Sequence, residues 1–434
     1  MKNDYVVLSL DPMFSPLHSK IAGLVGKECH AITSCWSKKI YLRGFKHTLA
    51  QKLIKDTHCE STKLNLDVIA ELDTYYHSYV RKIENRALTE EELTYMARFY
   101  LGLEQYIERN HITLVLLHND TRWYHAIAIS VCKKFNIEYL VTEQGLIRPF
   151  TTVLDNVGCN ANIELNYLSG INYNNLASNS PVQVTDKHDS IRSMCLFGCF
   201  IIGLNIEKWL RLDSILSYMH NDYTISKYAR RLKRKLFFKK RLEPKLGKKT
   251  ALLFLQLEND SQILQHSRFE NNNQIIENAL KISKELGFKL AIKRHPLDCN
   301  EYSLSGDIAF VDGDNKALSQ QASLVITVNS SAVIDVIETK TPLILLGKSI
   351  YARRGLGVFG CVSENSKTLY SNALKNVSAK ERGNFLAYLR NIYLLPGAGA
   401  SYQSEALINK LGHLLTHDVG LVVNDIQNNS IAKL

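Results

Sequence analysis

Short apolar runs recur along the chain, and each stops at a cluster of polar residues. In the first half they are Tyr5–Leu10, 113–117 and 138–142; in the second half they are 251–255, Lys289–Lys293, 324–328 and 342–346. Apolar runs of this length bounded by turn residues predict buried strands. Between them the apolar positions switch to a helical period. Leu64, Leu66, Val68, Ile69 and Leu72 share one face, Trp123–Phe135 and 273–286 predict further helices, and Thr89 followed by Glu92 is a capping-box pattern. Strands alternating with helices predict an α/β chain built on parallel, doubly wound sheets.

With 434 residues, two domains are expected. Their predicted extents are 1–185 for a first Rossmann-like domain, 186–249 for a helical basic connector, 250–395 for a second Rossmann-like domain, and 396–434 for a C-terminal helix and tail. The nine cysteines are scattered without a C-x-x-C pair, which predicts reduced thiols in a cytoplasmic protein. No signal peptide is expected at the amino terminus. The longest apolar run, 194–204, is short of the roughly 20 residues that a spanning helix needs. A protein that is soluble or bound to a membrane surface is therefore expected.

Charge changes this picture in one place. The net charge is +11, and between Lys227 and Lys249 twelve Lys and Arg residues face one acid, Glu243, with Leu232, Leu236, Phe237 and Phe238 interleaved. A basic amphipathic segment suits an anionic lipid surface, where each cation contributes about 1 kcal/mol. A solvated interdomain linker has the same composition, and both readings stay open. No nucleic-acid-binding motif accompanies the charge, and no G-x-G-x-x-G fingerprint follows the first strand.

Chemistry-bearing residues collect just past the predicted strands, where open α/β sheets bind ligands. Asp260, Ser261, Gln262 and His266 follow the run 251–255; Arg294, His295 and Pro296 follow Lys293; Asn329, Ser330 and Ser331 follow 324–328, with Glu338 further on; Tyr351 follows 342–346. In the first half His118, Asp120, Glu143 and Arg148 hold corresponding positions, with Asp155 beyond. We read the second set as a nucleotide-sugar site and the first as a facing half-site. Most of these residues have an ordinary alternative. Ser330 and Ser331 also fit N-caps, Asp260 an N-cap or a loop brace, His295 a structural histidine before a turn proline, Glu338 a solvated or interhelical glutamate, and Glu143 and Arg148 partners in buried ion pairs. Asp312 and Asp314 lie in a turn without further ligands, so no metal is assigned.

Four ordered blocks carry a resemblance. They are 143–149 with 152–155 and 158–160; 255–263 with His266 and Ser267; 292–298; and 327–331 with Glu338, Pro342, Gly347, Tyr351, Gly355 and Leu356. Together they resemble the bacterial capsule polysaccharide synthesis proteins of the KpsS/LipB type, relatives of KpsC. The resemblance implies a GT-B-like fold of two Rossmann-like domains facing a cleft. It also implies a retaining transferase that moves β-linked Kdo from CMP-Kdo onto a lysophosphatidylglycerol-type lipid at the inner face of the cytoplasmic membrane. On that reading Asp260 is the nucleophile, Glu143 a general base, and His295 a support for the departing phosphate. Gln262, His266, Lys293, Arg294, Pro296, Ser330, Ser331, Glu338 and Tyr351 hold the donor, and Arg148, Asp120 and Asp155 the acceptor. No cofactor or metal is implied. Partners would be the donor, a glycolipid or phospholipid acceptor, the membrane surface and other capsule synthesis and export proteins. The alternatives are a transferase for another CMP-activated ulosonic acid of the sialic acid type, and a non-catalytic capsule-assembly scaffold.

Overall fold

Five strands of the first half, β1 (Tyr5–Leu10), β2 (Gly26–Thr33), β3 (Lys46–Leu49), β4 (Leu114–His118) and β5 (Glu138–Gln144), pair in parallel in the order β3-β2-β1-β4-β5. A sixth, β6 (Thr151–Asp155), adds to β5 antiparallel. In the second half β7 (Thr250–Phe254), β8 (Lys289–Lys293), β9 (Ile308–Phe310), β10 (Leu324–Thr327), β11 (Leu343–Leu345) and β12 (Val358–Phe359) form an all-parallel sheet in the order β9-β8-β7-β10-β11-β12. Both orders are those of the doubly wound dinucleotide fold, so each sheet has a crevice at the carboxyl ends of the strands where its winding reverses. Those strands are β1 and β4 in the first sheet, β7 and β10 in the second. The computed structural model describes residues 4–12, 14–57, 66–163, 165, 187–219, 224–226, 228–229, 246–247, 249–298, 300–302, 308–360 and 364–415.

The central strands β4, β7 and β10 are buried along their whole length, as strands covered by helices on both faces must be. Leu252, Val325, Val336 and Leu343 fill one side of the second sheet, and Leu253, Ile276, Ile292 and Ile326 fill the other. Each such side chain contributes about 1.5–3 kcal/mol when fully buried.

The end of the chain departs from the expected boundaries. After the helix Ala379–Tyr388 a π-turn, Leu389–Tyr393, crosses back to the first sheet. There β13 (Leu395–Ala398) pairs with β6 and β14 (Ser401–Tyr402) with β13, both antiparallel. The helix Ser404–Leu415 then buries Leu407, Leu411 and Leu415 with Ile21, Leu114 and Leu140 of the first domain. The segment expected as a separate helix and tail is thus part of the first core through Leu415. A three-leucine stripe needs an apolar partner, and the free face of the first sheet supplies it.

The expected connector also attaches to the first domain. Its helix, Lys187–Trp209, packs Phe200, Ile201 and Leu204 against Cys35 and Tyr41. At 23 residues this helix extends well past the run 194–204, because Gly203 and Asn205 interrupt the apolar run without ending the helix, and it is long and apolar enough to cross a membrane by length and composition. Most of the basic segment, 230–245, lies outside the described residues.

The two domains are joined directly beside the cleft. Lys82 Nζ, from the helix Tyr75–Lys82 of the first domain, donates to the carbonyls of Ser267 at 2.8 Å and Phe269 at 2.9 Å in the second. Tyr75 Oη donates to Asn259 O at 2.9 Å, and Gln265 Nε2 donates back to Asp73 O at 3.0 Å.

Candidate functional site

The carboxyl ends of β5, β7, β8 and β10 open on one cleft of about 230 Å³ between the sheets. Of the sequence-predicted residues, Asp260, Gln262, His295, Ser330, Ser331 and Tyr351 line it from the second domain, and Glu143 and Arg148 from the first.

Asp260 directly follows the turn after β7 and caps the short helix Ser261–Leu264, its Oδ1 accepting from Gln262 N at 3.0 Å. It is therefore both N-cap and cleft residue. Removal from water pushes its carboxyl above the usual range, while the Gln262 N–H and the nearby His295 and Arg148 offset part of that rise. The Gln262 N–H and the Ser261 hydroxyl thus hold this carboxylate at the cleft wall.

Across the cleft, Glu143 at the end of β5 accepts from Asn119 Nδ2 at 2.7 Å and from Gln144 N at 2.8 Å. Burial raises its pKa, with those two hydrogen bonds pulling the other way. His118 Nε2 lies 3.9 Å from the same carboxylate, and burial holds that imidazole neutral by lowering its pKa far below the ordinary value. Arg148 is exposed in the cleft wall, and among the described residues its guanidinium makes no hydrogen bond or ion pair.

Tyr351 forms part of the floor. Its ring packs edge-on against Phe385, only 2% of the residue is exposed, and its hydroxyl has no hydrogen-bond partner among the described residues. A buried hydroxyl left unpaired costs about 1–3 kcal/mol, so this one is suited to a polar ligand atom. The Ser330 hydroxyl accepts from Ala332 N at 3.2 Å; regular helix begins only at Val333 and ends at Ile337.

Behind these groups is a frame of side-chain amides that sequence reasoning missed. Asn329 Nδ2 donates to Gln262 Oε1 and to Lys348 O, both at 3.0 Å, and Asn329 exchanges bonds with the Gln256 amide at 3.2 and 3.3 Å. Three loops, after β7, β10 and β11, are tied at this one residue. Asn119 does the same for Glu143, and Asn160 and Ser349 complete the lining. The available signal was an amide immediately after a strand end, which reads as an ordinary turn residue.

Seven expected residues do not line the cleft. Lys293 turns its ammonium to Gly313 O and Asn315 Oδ1, bracing the loop before the helix Asn315–Gln321. Arg294 is exposed and stacks on Phe310 at 5.0 Å, and Pro296 is exposed in the next turn. Arg294 stands just past the last residue of β8, where the chain has left the strand and its guanidinium reaches Phe310. His266 is buried; its carbonyl accepts from Lys348 N at 2.8 Å, and a side chain at Gly347 would come within 2.7 Å of it. Glu338 pairs with Lys316 at 2.8 Å and Arg390 at 2.9 Å, which is the interhelical arrangement. Asp120 accepts from Cys159 N at 3.1 Å and Asn162 Nδ2 at 3.0 Å, and Asp155 accepts from Val157 N and Tyr393 Oη, both at 2.7 Å. Both aspartates hold the loop that presents Asn160. None of these seven is part of the cleft lining.

Two doubly wound domains facing each other across a polar cleft, with the chain crossing back to the first domain at its end, define a GT-B-like protein. Residues 113–382, well over half the chain, match the family described as capsule polysaccharide biosynthesis protein, and this chain belongs to that family. It is similar to KpsS of Escherichia coli, a capsule polysaccharide export protein, with 26% identity over 275 residues covering 56% of this chain and 69% of KpsS. It is also similar to LipB of Neisseria meningitidis serogroup A, a capsule polysaccharide modification protein, with 24% identity over 313 residues and 68% of each chain covered. Among solved structures, the β-Kdo 2,7 transferase of Thermosulfurimonas dismutans KpsC aligns over 78% of this chain and 95% of its own, with 13% identity and a TM-score of 0.37.

Proposed function

We propose that the chain is a retaining glycosyltransferase that moves β-Kdo from CMP-Kdo onto a lipid acceptor of the lysophosphatidylglycerol type, starting the linker on which capsule is built. The observation that carries this reading is the placement of Asp260, His295, Arg148 and Glu143 around one cleft, two from each domain. A carboxylate on the second domain to act as nucleophile and a half-buried carboxylate on the first to act as base are the two groups that a double displacement requires.

In the first step the Asp260 carboxylate attacks the anomeric carbon of Kdo and the bond to the CMP phosphate breaks, leaving a glycosyl ester. The negative charge on the departing phosphate develops beside the Arg148 guanidinium, where fixed positive charge in a partly dehydrated site stabilises it most, and the His295 ring, whose Nδ1 accepts from Leu297 N at 3.1 Å, offers its Nε2–H as a further donor. In the second step Glu143 takes the proton of the acceptor hydroxyl, whose oxygen displaces Asp260, and two inversions restore the β configuration. The Tyr351 hydroxyl and the serines at 330 and 331 supply hydrogen bonds to the donor. The site would be reached at the inner face of the cytoplasmic membrane, where a lipid acceptor is available.

The test incubates the purified chain with CMP-Kdo and a fluorescent lysophosphatidylglycerol analogue and looks for a mass gain of one Kdo. CMP-sialic acid run in parallel reads out the alternative donor. Release of no CMP and transfer of no sugar from either donor would leave the non-catalytic scaffold.

A further inference from the structure

The helix Lys187–Trp209 is apolar all round over its middle turns, yet among the described residues only one of its faces is covered. From Ser193 to Ile206 it carries no charged side chain. Phe200 and Leu204 are fully buried against the first domain, and Glu207 accepts from the backbone N–H groups of Trp36 at 3.0 Å and Ser37 at 2.6 Å, so the helix is fixed in place along that side. The opposite side presents Ile191, Cys195, Ile202, Ile206 and Trp209, spaced by three, four or seven residues and so in one stripe. Ile202 is 55% exposed and Trp209 81%, and Met194 beside them is 66% exposed. A soluble helix normally turns charged residues to water; one that is hydrophobic on every side belongs in a core or against lipid.

We propose that this stripe is the element by which the protein lies on a bilayer carrying anionic headgroups, with the helix in the plane of the surface. The proposal deepens the lipid-acceptor reading above and rests on it for its biological use. Three observations select a membrane over other occupants. Arg192 near one end and Lys208 and Arg211 near the other bracket the apolar stripe, as cations do where an interfacial helix meets headgroups. Tyr228 packs edge-on against Phe197 on the covered side of this helix at 5.2 Å, so the chain leading into the twelve-cation run of residues 227–249 is held at the same helix. A second copy docked on the same stripe would bring Arg192, Lys208 and Arg211 of the two copies together, and like charges oppose that contact. The helix does not span, because its other face is packed on its own domain.

The test measures flotation of the full chain with vesicles of phosphatidylcholine and phosphatidylglycerol. The wild-type chain is expected to float, with Trp209 emission shifting to the blue and being quenched by brominated lipid; Trp209→Phe assigns that signal. Ile202→Asp with Ile206→Asp is expected to lower partitioning by about tenfold per site. Both positions are exposed, and an unchanged melting curve checks the fold. Partitioning that the double variant retains, or Trp209 emission that lipid leaves unmoved, would overturn the proposal. So would a wild-type dimer that the double variant converts to monomer, which would make the stripe a subunit interface. CMP binding measured by calorimetry on the wild-type chain separates the two readings: a wild type that binds CMP and fails to float sinks this inference alone, and a wild type that floats without binding CMP sinks the transferase.

Discussion

Asn329 and Gln262 meet through one hydrogen bond, Nδ2 to Oε1 at 3.0 Å, and that bond ties the loop after β10 to the helix that Asp260 caps. The cleft floor thus depends on an amide that touches three loops. Asn329→Ala leaves the Lys348 carbonyl and the Gln256 amide without their partner in a buried place, and each orphan costs about 1–3 kcal/mol. The expected outcome is a second domain less stable by about 2–4 kcal/mol and weaker CMP binding, read by thermal melts and calorimetry. Asn329→Asp, which keeps the Oδ1 acceptor and loses both donors, is expected to fall between.

Asp260→Asn separates the two roles of that residue. Asparagine caps a helix as well as aspartate does, so stability should hold within about 0.5 kcal/mol. Without a carboxylate to form the glycosyl ester, turnover should fall by about a thousandfold or more. A variant with undiminished turnover and a wild-type melt would leave Asp260 as a cap only.

Glu143 carries the pH dependence expected on the acceptor side. Its raised pKa means that the base is ionised only above the ordinary carboxyl range, so kcat/KM should climb with pH through that raised value. The sign for stability is opposite. Between the unfolded and folded pKa values the folded chain binds more protons, so stability falls as pH rises through the window. Glu143→Gln should flatten the acid limb, lower kcat by about 10²- to 10⁴-fold, and remove this part of the stability slope. Rate profiles and melts across pH check both signs.

Arg382 is 2% exposed and donates to the carbonyls of Thr339, Thr341 and Leu356 at 2.7, 2.9 and 2.8 Å. It holds the turn that follows Tyr351, and burial lowers its pKa to about 10. Arg382→Met leaves those carbonyls unpaired and should cost about 3–5 kcal/mol in a denaturant titration. An equally stable variant would mean that the carbonyls find water.

Lys82→Met removes the ammonium that bridges the domains at Ser267 and Phe269. The domains should then open more readily. The expected readings are a larger radius of gyration in solution scattering and a KM for donor raised about tenfold with kcat little changed. An unaltered scattering profile would assign the closure to the other contacts.

Much of the architecture was legible before any coordinates. The runs at 251–255, Lys289–Lys293 and 324–328 read as strands because parallel strands are buried on both faces and lose their polar alternation. Their carboxyl ends marked Asp260, His295 and the serines at 330 and 331 as neighbours, and all four line the cleft. Lys293, Arg294 and Glu338 were placed with them by proximity along the chain, which does not report which way a side chain points.

Local pattern alone established two doubly wound sheets and the strand ends where ligand chemistry gathers, because burial and turn preference act over a few residues. Only long-range packing decided that 395–415 returns to the first core, that Asp120 and Asp155 brace a loop, and that Asn329 unites three others. Those outcomes depend on which distant surfaces and carbonyls remain to be satisfied once the sheets have formed, and a linear pattern does not contain that information.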